Sequence, residues 1–349
     1  MTYELGKTIH GNENHAKAAM ERLLTQPIDR EFLAPPAADG KTPYPRRKTT
    51  IANPVSVSGP ATFKRGRDST LNFLPCENDG WWFDRADQPE QFPFKVSVRN
   101  VWTTARNIVL RCGSPHNYLR MVEHIIALRV GMGVDRLMIR TESGDPPLFE
   151  RGSLDIVEAI ERAGITETDE PAEYVTVREP VTFTGGRGDL LTFIPAKPGD
   201  FGLRVDCAVD FPSAIGRQRI IFDVTPENFR IGAEARTNAP YSMYLYTKTI
   251  GKLFADTRNL GYNKRNILIH GKRDYLNEAK LRFPVGDGAE TKSLEAVWHR
   301  ATLDLLAAVA LIDCRRFCGT IVSYRAGHTQ DVRMAAQLNL RDLIETVGN

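Results

Sequence analysis

Apolar residues in this chain recur with two periods, two residues and about 3.6 residues, and the order in which the periods appear is repeated. Val55 and Val57 alternate with serines up to Gly59, and Leu71-Asn72-Phe73-Leu74 follows beyond a turn containing Gly and Arg. The same order returns where Val181 and Phe183 alternate with threonines before Gly185, followed by Leu191-Thr192-Phe193-Ile194. Alternation puts every second side chain on one face of a strand, so each half is expected to open with a β-hairpin. The two stretches are either related copies or two common hairpins that look alike.

Between the hairpins the period lengthens. Leu119, Val122, Ile126 and Val130 recur at three- and four-residue steps, which predicts a helix over 117–130. Further helices are predicted over 154–163, between Gly152-Ser153 and Gly164, over 241–260 and over 293–312. Strands are predicted over 137–139, 201–211, 219–224 and 320–324. The mixture gives an α+β class. Two related domains, 48–170 and 171–340, each a small sheet layered with helices, follow an N-terminal extension, 1–47, and precede a C-terminal tail, 341–349. The extension joins a short amphipathic stretch, 16–24, to Leu33-Ala34-Pro35-Pro36 and Pro43-Tyr44-Pro45, which cannot continue a helix. It is either docked on the core or loose.

Composition narrows the function classes. With 42% hydrophobic and 26% charged residues, and no apolar run near the roughly 20 residues that a membrane helix needs, no membrane span is expected. The first residues lack a basic-then-apolar signal pattern, so a cytoplasmic location is expected. Basic residues number 46 against 43 acidic ones, which gives no field of one sign for nucleic acid. Arg46-Arg47-Lys48 and Arg65-Gly66-Arg67 read as solvated loop charges, although either could meet a phosphate. Five cysteines with no Cys-x-x-Cys pair fit reduced thiols and argue against both a disulfide framework and a thiolate zinc site.

Chemistry must then come from histidines and carboxylates. Of seven histidines, His10, His15, His116 and His270 read as structural or solvated. His124 differs because Glu123 precedes it: an imidazole that can bind a metal, beside a carboxylate that can take a proton from water, suggests hydrolysis. Neighbours inside a helix diverge by about 100°, so both serve one site only at a helix start or a cleft edge. His299 and Asp304 are five apart, which turns them by roughly 140° on a regular helix. Either a π-bulge restores a shared face, or they are a core-edge His and an unrelated surface Asp. In Tyr324-Arg325-Ala326-Gly327-His328 a strand ends at Gly and delivers an imidazole to a loop, where it is a proton donor or a simple turn residue. Gly131-Met132-Gly133 and Gly185-Gly186-Arg187-Gly188 lack the remaining residues of nucleotide-binding motifs and read as turns.

Val122-Glu123-His124, with Ala127-Leu128 and Gly131-Met132-Gly133-Val134-Asp135, resembles the Val-Glu-His, Ala-Leu, Gly-x-Gly-Ile-Asp sequence of the zinc-dependent UDP-3-O-acyl-N-acetylglucosamine deacetylases of lipid A biosynthesis. Gly152-Ser153, Ala163-Gly164-Ile165, Asp210-Phe211-Pro212-Ser213-Ala214-Ile215, Ala235-Arg236-Thr237 and Tyr324 to His328 are similar to further landmarks of that family, in order, from about residue 48 to 340. The resemblance implies two related domains with the site between them. It implies Zn²⁺ held by His124, His299 and Asp304, with Glu123 as general base toward water and Thr237 beside the oxyanion. It also implies that His328 assists electrostatically or protonates the leaving amine, and that Arg300 stands near a substrate phosphate. The substrate implied is a small molecule, an N-acetylated, acylated nucleotide sugar that loses acetate to a protein acting as a monomer. The chain departs from the family's pattern where Leu303 stands four past His299, where Leu306-Ala307-Ala308-Val309 lacks a second Asp, at Arg151 before Gly152, and at Asn238 after Thr237. Two alternatives follow: a deacetylase for another N-acyl substrate, or a silent relative that binds a sugar nucleotide, an acyl lipid or a protein.

Overall fold

Each half of the chain builds a sheet with the same strand order. The computed structural model describes residues 2–33, 43–64, 66–253, 261–277, 280–286 and 292–347. In the first half, Val55–Pro60 pairs with Asp68–Leu74 and Gly80–Arg85 with Phe94–Lys95 as two hairpins, and the later strand Arg136–Thr141 inserts between them. In the second half, Val181–Phe183 pairs with Leu190–Ile194 and Leu203–Phe211 with Gly216–Asp223, and Gly319–Tyr324 inserts centrally. Each inserted strand runs antiparallel to the first hairpin and parallel to the second. Chance likeness between two hairpins does not produce a shared insertion with shared polarity, so the halves are copies of one unit.

The helices also correspond. Helix α1 (Glu13–Thr25) belongs to the extension; α2 (Glu123–Gly131) precedes the inserted strand of the first half and α3 (Leu154–Ala163) follows it. In the second half come α4 (Pro226–Ala233) and α5 (Tyr241–Lys248), then α6 (Glu295–His299), a π-helical turn (Arg300–Leu305) and α7 (Leu306–Ile312), with α8 (His328–Leu340) after the inserted strand. Helices α2 and α7 pack against each other and are buried almost all round, as expected of a layer enclosed between two sheets. Gly131 lets α4 approach α2 closely, because a Cβ there would stand 2.0 Å from the Phe229 ring of α4. Arg129 fastens the layer by capping the end of α7: its Nη1 donates to the Ala310 carbonyl oxygen at 2.8 Å and the Asp313 carbonyl oxygen at 2.5 Å. Arg316 pairs with Asp135 across the halves at 2.7 Å.

The extension is docked. Lys7–His10 adds in parallel to Val181–Phe183 at one edge of the second sheet, and Arg30–Phe32 adds in parallel to Gly216–Asp223 at the other. Between them α1 lays Ala16, Ala19, Met20 and Leu23 on Leu190, Ala208, Val322 and Tyr324. Arg219 satisfies the end of α1, donating to the Leu23 and Gln26 carbonyl oxygens, while pairing with the buried Asp206 at 2.7 Å. Of the Pro-rich stretch, Leu33 and residues 43–45 are described, while Pro35 and Pro36 lie outside the described residues, as does Arg65. Tyr44 is anchored, donating to the Val130 carbonyl oxygen at 2.8 Å. Lys48 is not a loose loop charge but pairs with Asp79 and Glu170. Within the tail, Ile344–Thr346 pairs with Tyr174–Val177. The helix expected over 241–260 ends at Lys248, followed by a 3-10 turn at Ile250–Leu253; residues 254–260 lie outside the described ones. Among the described residues no helix is long and apolar enough to cross a membrane.

Candidate metal and active site

Glu123 and His124 are the first two residues of α2. Part of the helix expected over 117–130 is strand, because Tyr118–Leu119 pairs with Val109–Arg111 and Met121, at φ 51°, turns the chain before the helix begins. The apolar spacing is therefore shared between a strand end and a helix start. Ser153 donates to the His124 carbonyl oxygen at 2.7 Å, and its neighbour Gly152, at φ 63°, lets the loop approach. A Cβ on Gly152 would stand 2.6 Å from the Ala233 carbonyl oxygen.

The second imidazole comes from the matching helix of the other half. From Glu295 to Ile312 the chain is helical throughout, with the π-turn at Arg300–Leu305 adding one residue to the winding. Asp304 Oδ1 consequently stands 3.7 Å from His299 Nδ1, despite the five-residue spacing. The other ring nitrogen, His299 Nε2, is 3.5 Å from His124 Nε2. Two ligands at about 2.0–2.1 Å from a tetrahedral ion stand about 3.4 Å apart, so this imidazole pair fits a shared cation. Asp304 lies on the Nδ1 side, and among the described residues no three His, Cys, Asp or Glu side chains already stand together at ligand spacing. The donor set is thus two nitrogens in place with one carboxylate beside them.

Burial sets the electrostatics. It pushes the Glu123 carboxyl up to about 7; Asp304 acts in the same direction, and His328 and the Ile108 N–H, which donates to Glu123 Oε2 at 2.9 Å, oppose it. Burial, helped by His299, brings His124 down to about 3, and burial likewise lowers His299 against the pull of Asp304. Both rings are held neutral, the form that binds a metal. Glu123, His124, His299, Asp304 and His328 therefore share one electrostatic neighbourhood.

The remaining expected residues fall on different footings. His328 is the first residue of α8, half-buried after the inserted strand. Thr237 is half-buried, and its carbonyl oxygen accepts from Leu268 N at 2.8 Å. Arg300 is buried, and its guanidinium donates from Nε to the Ala326 carbonyl oxygen at 2.7 Å and from Nη2 to Asp331 Oδ1 at 2.6 Å. Three neighbours escaped sequence reasoning. Arg236, beside Thr237, forms a fully buried pair with Glu295 and had a signal in Ala235-Arg236-Thr237. Asp331, three past His328, had the helical spacing of a neighbour and is pushed up to about 6, chiefly by burial. Tyr262, whose hydroxyl is raised by burial and then by Glu123, had no signal.

Comparison with known proteins identifies the family. The model of the family described as UDP-3-O-acyl N-acetylglycosamine deacetylase (LpxC) matches residues 48–339. The UDP-3-O-acyl-N-acetylglucosamine deacetylase of Bdellovibrio bacteriovorus is 27% identical over 285 residues, which cover 81% of this chain and 84% of that protein. The proteins of the same name from Brucella melitensis biotype 2 and Brucella abortus strain 2308 are each 27% identical over 281 residues, covering 80% of this chain and 90% of theirs. With its repeated sheets and paired imidazoles inside the matched span, the chain belongs to the UDP-3-O-acyl N-acetylglycosamine deacetylase (LpxC) family.

Proposed function

We propose that this chain is a cytoplasmic, monomeric hydrolase that removes the N-acetyl group from a UDP-3-O-acyl-N-acetylglucosamine, as the names of its relatives describe for them. The observation that carries this reading is the 3.5 Å approach of His124 Nε2 to His299 Nε2, with Glu123 adjacent in sequence. His124, His299 and Asp304 would hold a divalent cation, zinc on the chemistry of two nitrogens and one oxygen. When bound, such an ion supplies Lewis-acid polarisation of a carbonyl and a lowered pKa for water. Glu123, tuned to about 7, takes the proton of the attacking water at neutral pH. Thr237 is assigned to the oxyanion, its backbone braced by the neighbouring Arg236 and Glu295 pair. His328 gives a proton to the departing nitrogen as the C–N bond breaks, which leaves acetate and a free amine.

The test is the purified Glu123→Ala variant, which should retain about one zinc per chain by elemental analysis yet release no acetate. Unchanged turnover would remove Glu123 from the mechanism, and a parent protein that takes up no zinc would remove the metal. A second reading, deacetylation of another N-acyl substrate, is favoured by the inward capture of Arg300, which leaves the phosphate group without that partner. Turnover across a panel of N-acyl sugars, with and without a nucleotide, separates the two.

A further inference from the structure

Two elements bear on the site from the second half: the helix with its π-turn, which carries His299 and Asp304, and α8, which opens with His328. A single buried side chain joins them. Arg300 follows His299 directly, and its guanidinium reaches Ala326 on one side of His328 and Asp331 on the other, with Nη2 also 3.2 Å from Ser323 Oγ. The turn that it grips is unusual, because Arg325 holds φ 54° without being glycine. That turn is pinned elsewhere as well: Gly327 N donates to Gln330 Oε1 at 2.9 Å, and Thr329 Oγ1 donates to the Thr104 carbonyl oxygen at 3.0 Å. Within the ion pair one donor, Arg300 Nη1, and one acceptor, Asp331 Oδ2, are buried without a partner among the described residues. An unpaired donor and an unpaired acceptor in one buried pair suit a bridging water.

We propose that Arg300 and Asp331 are positioning residues for His328, fixing the proton donor relative to His299 and Asp304 across the junction of the two helices. The pair does not touch the reacting atoms in this role. It sets the place of the imidazole, and misplacement by about 1 Å at a reacting centre costs on the order of 100-fold in rate. A lysine at position 300 keeps the charge but lacks the planar fork that bonds Ala326 and Asp331 together.

This inference rests on the hydrolase reading for its kinetic arm and stands apart from it in its spectroscopic arm. Arg300→Lys and Asp331→Asn, each loaded with zinc, are expected to lose about 10- to 100-fold in kcat with KM within about twofold and zinc content unchanged. In the metal-free proteins, ¹⁵N spectra of the His328 ring should show one set of resonances in the parent and broadened or doubled ones in both variants. The double variant Arg300→Met/Asp331→Leu removes both buried charges together and guards against simple misfolding, since matched apolar replacement of a buried pair is often neutral for stability. It should melt like the parent and remain slow. A kcat within twofold of the parent in Arg300→Lys and Asp331→Asn, a loss confined to KM, full activity in the double variant, or unchanged His328 resonances would overturn the proposal. A parent protein with no deacetylase activity would overturn the hydrolase reading alone, because the ring spectra still report on the pair.

Discussion

Replacing Glu123 by glutamine should make the metal-free protein more stable at neutral and alkaline pH while removing its activity. Burial raises the folded-state carboxyl from the ordinary 4.5 to about 7, so the unfolded chain gives up its proton first as pH rises. A group whose folded pKa lies above its unfolded value contributes stability below the unfolded value and loses it as pH climbs to the folded one. The window here runs from about 4.5 to about 7. At about 1.4 kcal/mol for each pKa unit, the loss above pH 7 reaches about 3 kcal/mol. Glutamine keeps the shape and can still accept from Ile108 N, but it has no charge to bury. Urea unfolding of chelator-treated parent and Glu123→Gln proteins at pH 4.5 and pH 8 measures the difference directly. The variant's advantage should be small at the acidic value and about 3 kcal/mol at the alkaline one, alongside a loss of roughly 10²–10⁴ in kcat for the zinc-loaded enzyme. A stability gap that does not change with pH would refute the claim that burial, rather than a local contact, tunes this carboxyl.

Other consequences can be measured independently. Arg236→Met strands the fully buried Glu295 and should cost about 3–5 kcal/mol in urea unfolding, whereas the double variant with Glu295→Leu should recover most of the loss. Leu23→Ala, at a fully buried position of α1, should cost about 2–5 kcal/mol and leave kcat of the folded enzyme unaltered; a smaller loss would mean that the extension is weakly docked. Zinc at about 100 times its dissociation constant should stabilise the parent by about 2.7 kcal/mol in the same titration, and His299→Ala should abolish that gain.

How much was legible in the sequence differs from element to element. The repeat was visible at Val55/Val57 and Val181/Phe183 because alternation is local, while the insertion of Arg136–Thr141 and Gly319–Tyr324 between hairpins was not, because strand order is decided by pairings far apart in the chain. The helix over 154–163 agreed residue for residue, since a Gly-Ser start and a Gly164 end frame one strongly amphipathic face. The helix start at Glu123 was misplaced because a turn at Met121 leaves no mark on the apolar pattern. At the site, the five-residue spacing between His299 and Asp304 left a π-bulge and an unrelated surface Asp as alternatives, and the π-turn at Arg300–Leu305 came only with the fold. The inward path of Arg300 was illegible. Charge type alone suggests a surface role, and only the fold places Asp331 beneath it.

Both flanks of the second sheet are supplied by residues that leave the ribosome early and pair late. Lys7 pairs in register with Val181, and Arg30 waits for Ile220. At roughly 5–20 residues per second, the apolar stripe of Ala16, Met20 and Leu23 waits for a platform that is complete only at Tyr324, about 15–60 s of synthesis later. Such distant parallel pairing slows folding, and a nascent chain in that interval is the form most open to chaperone capture or misassociation.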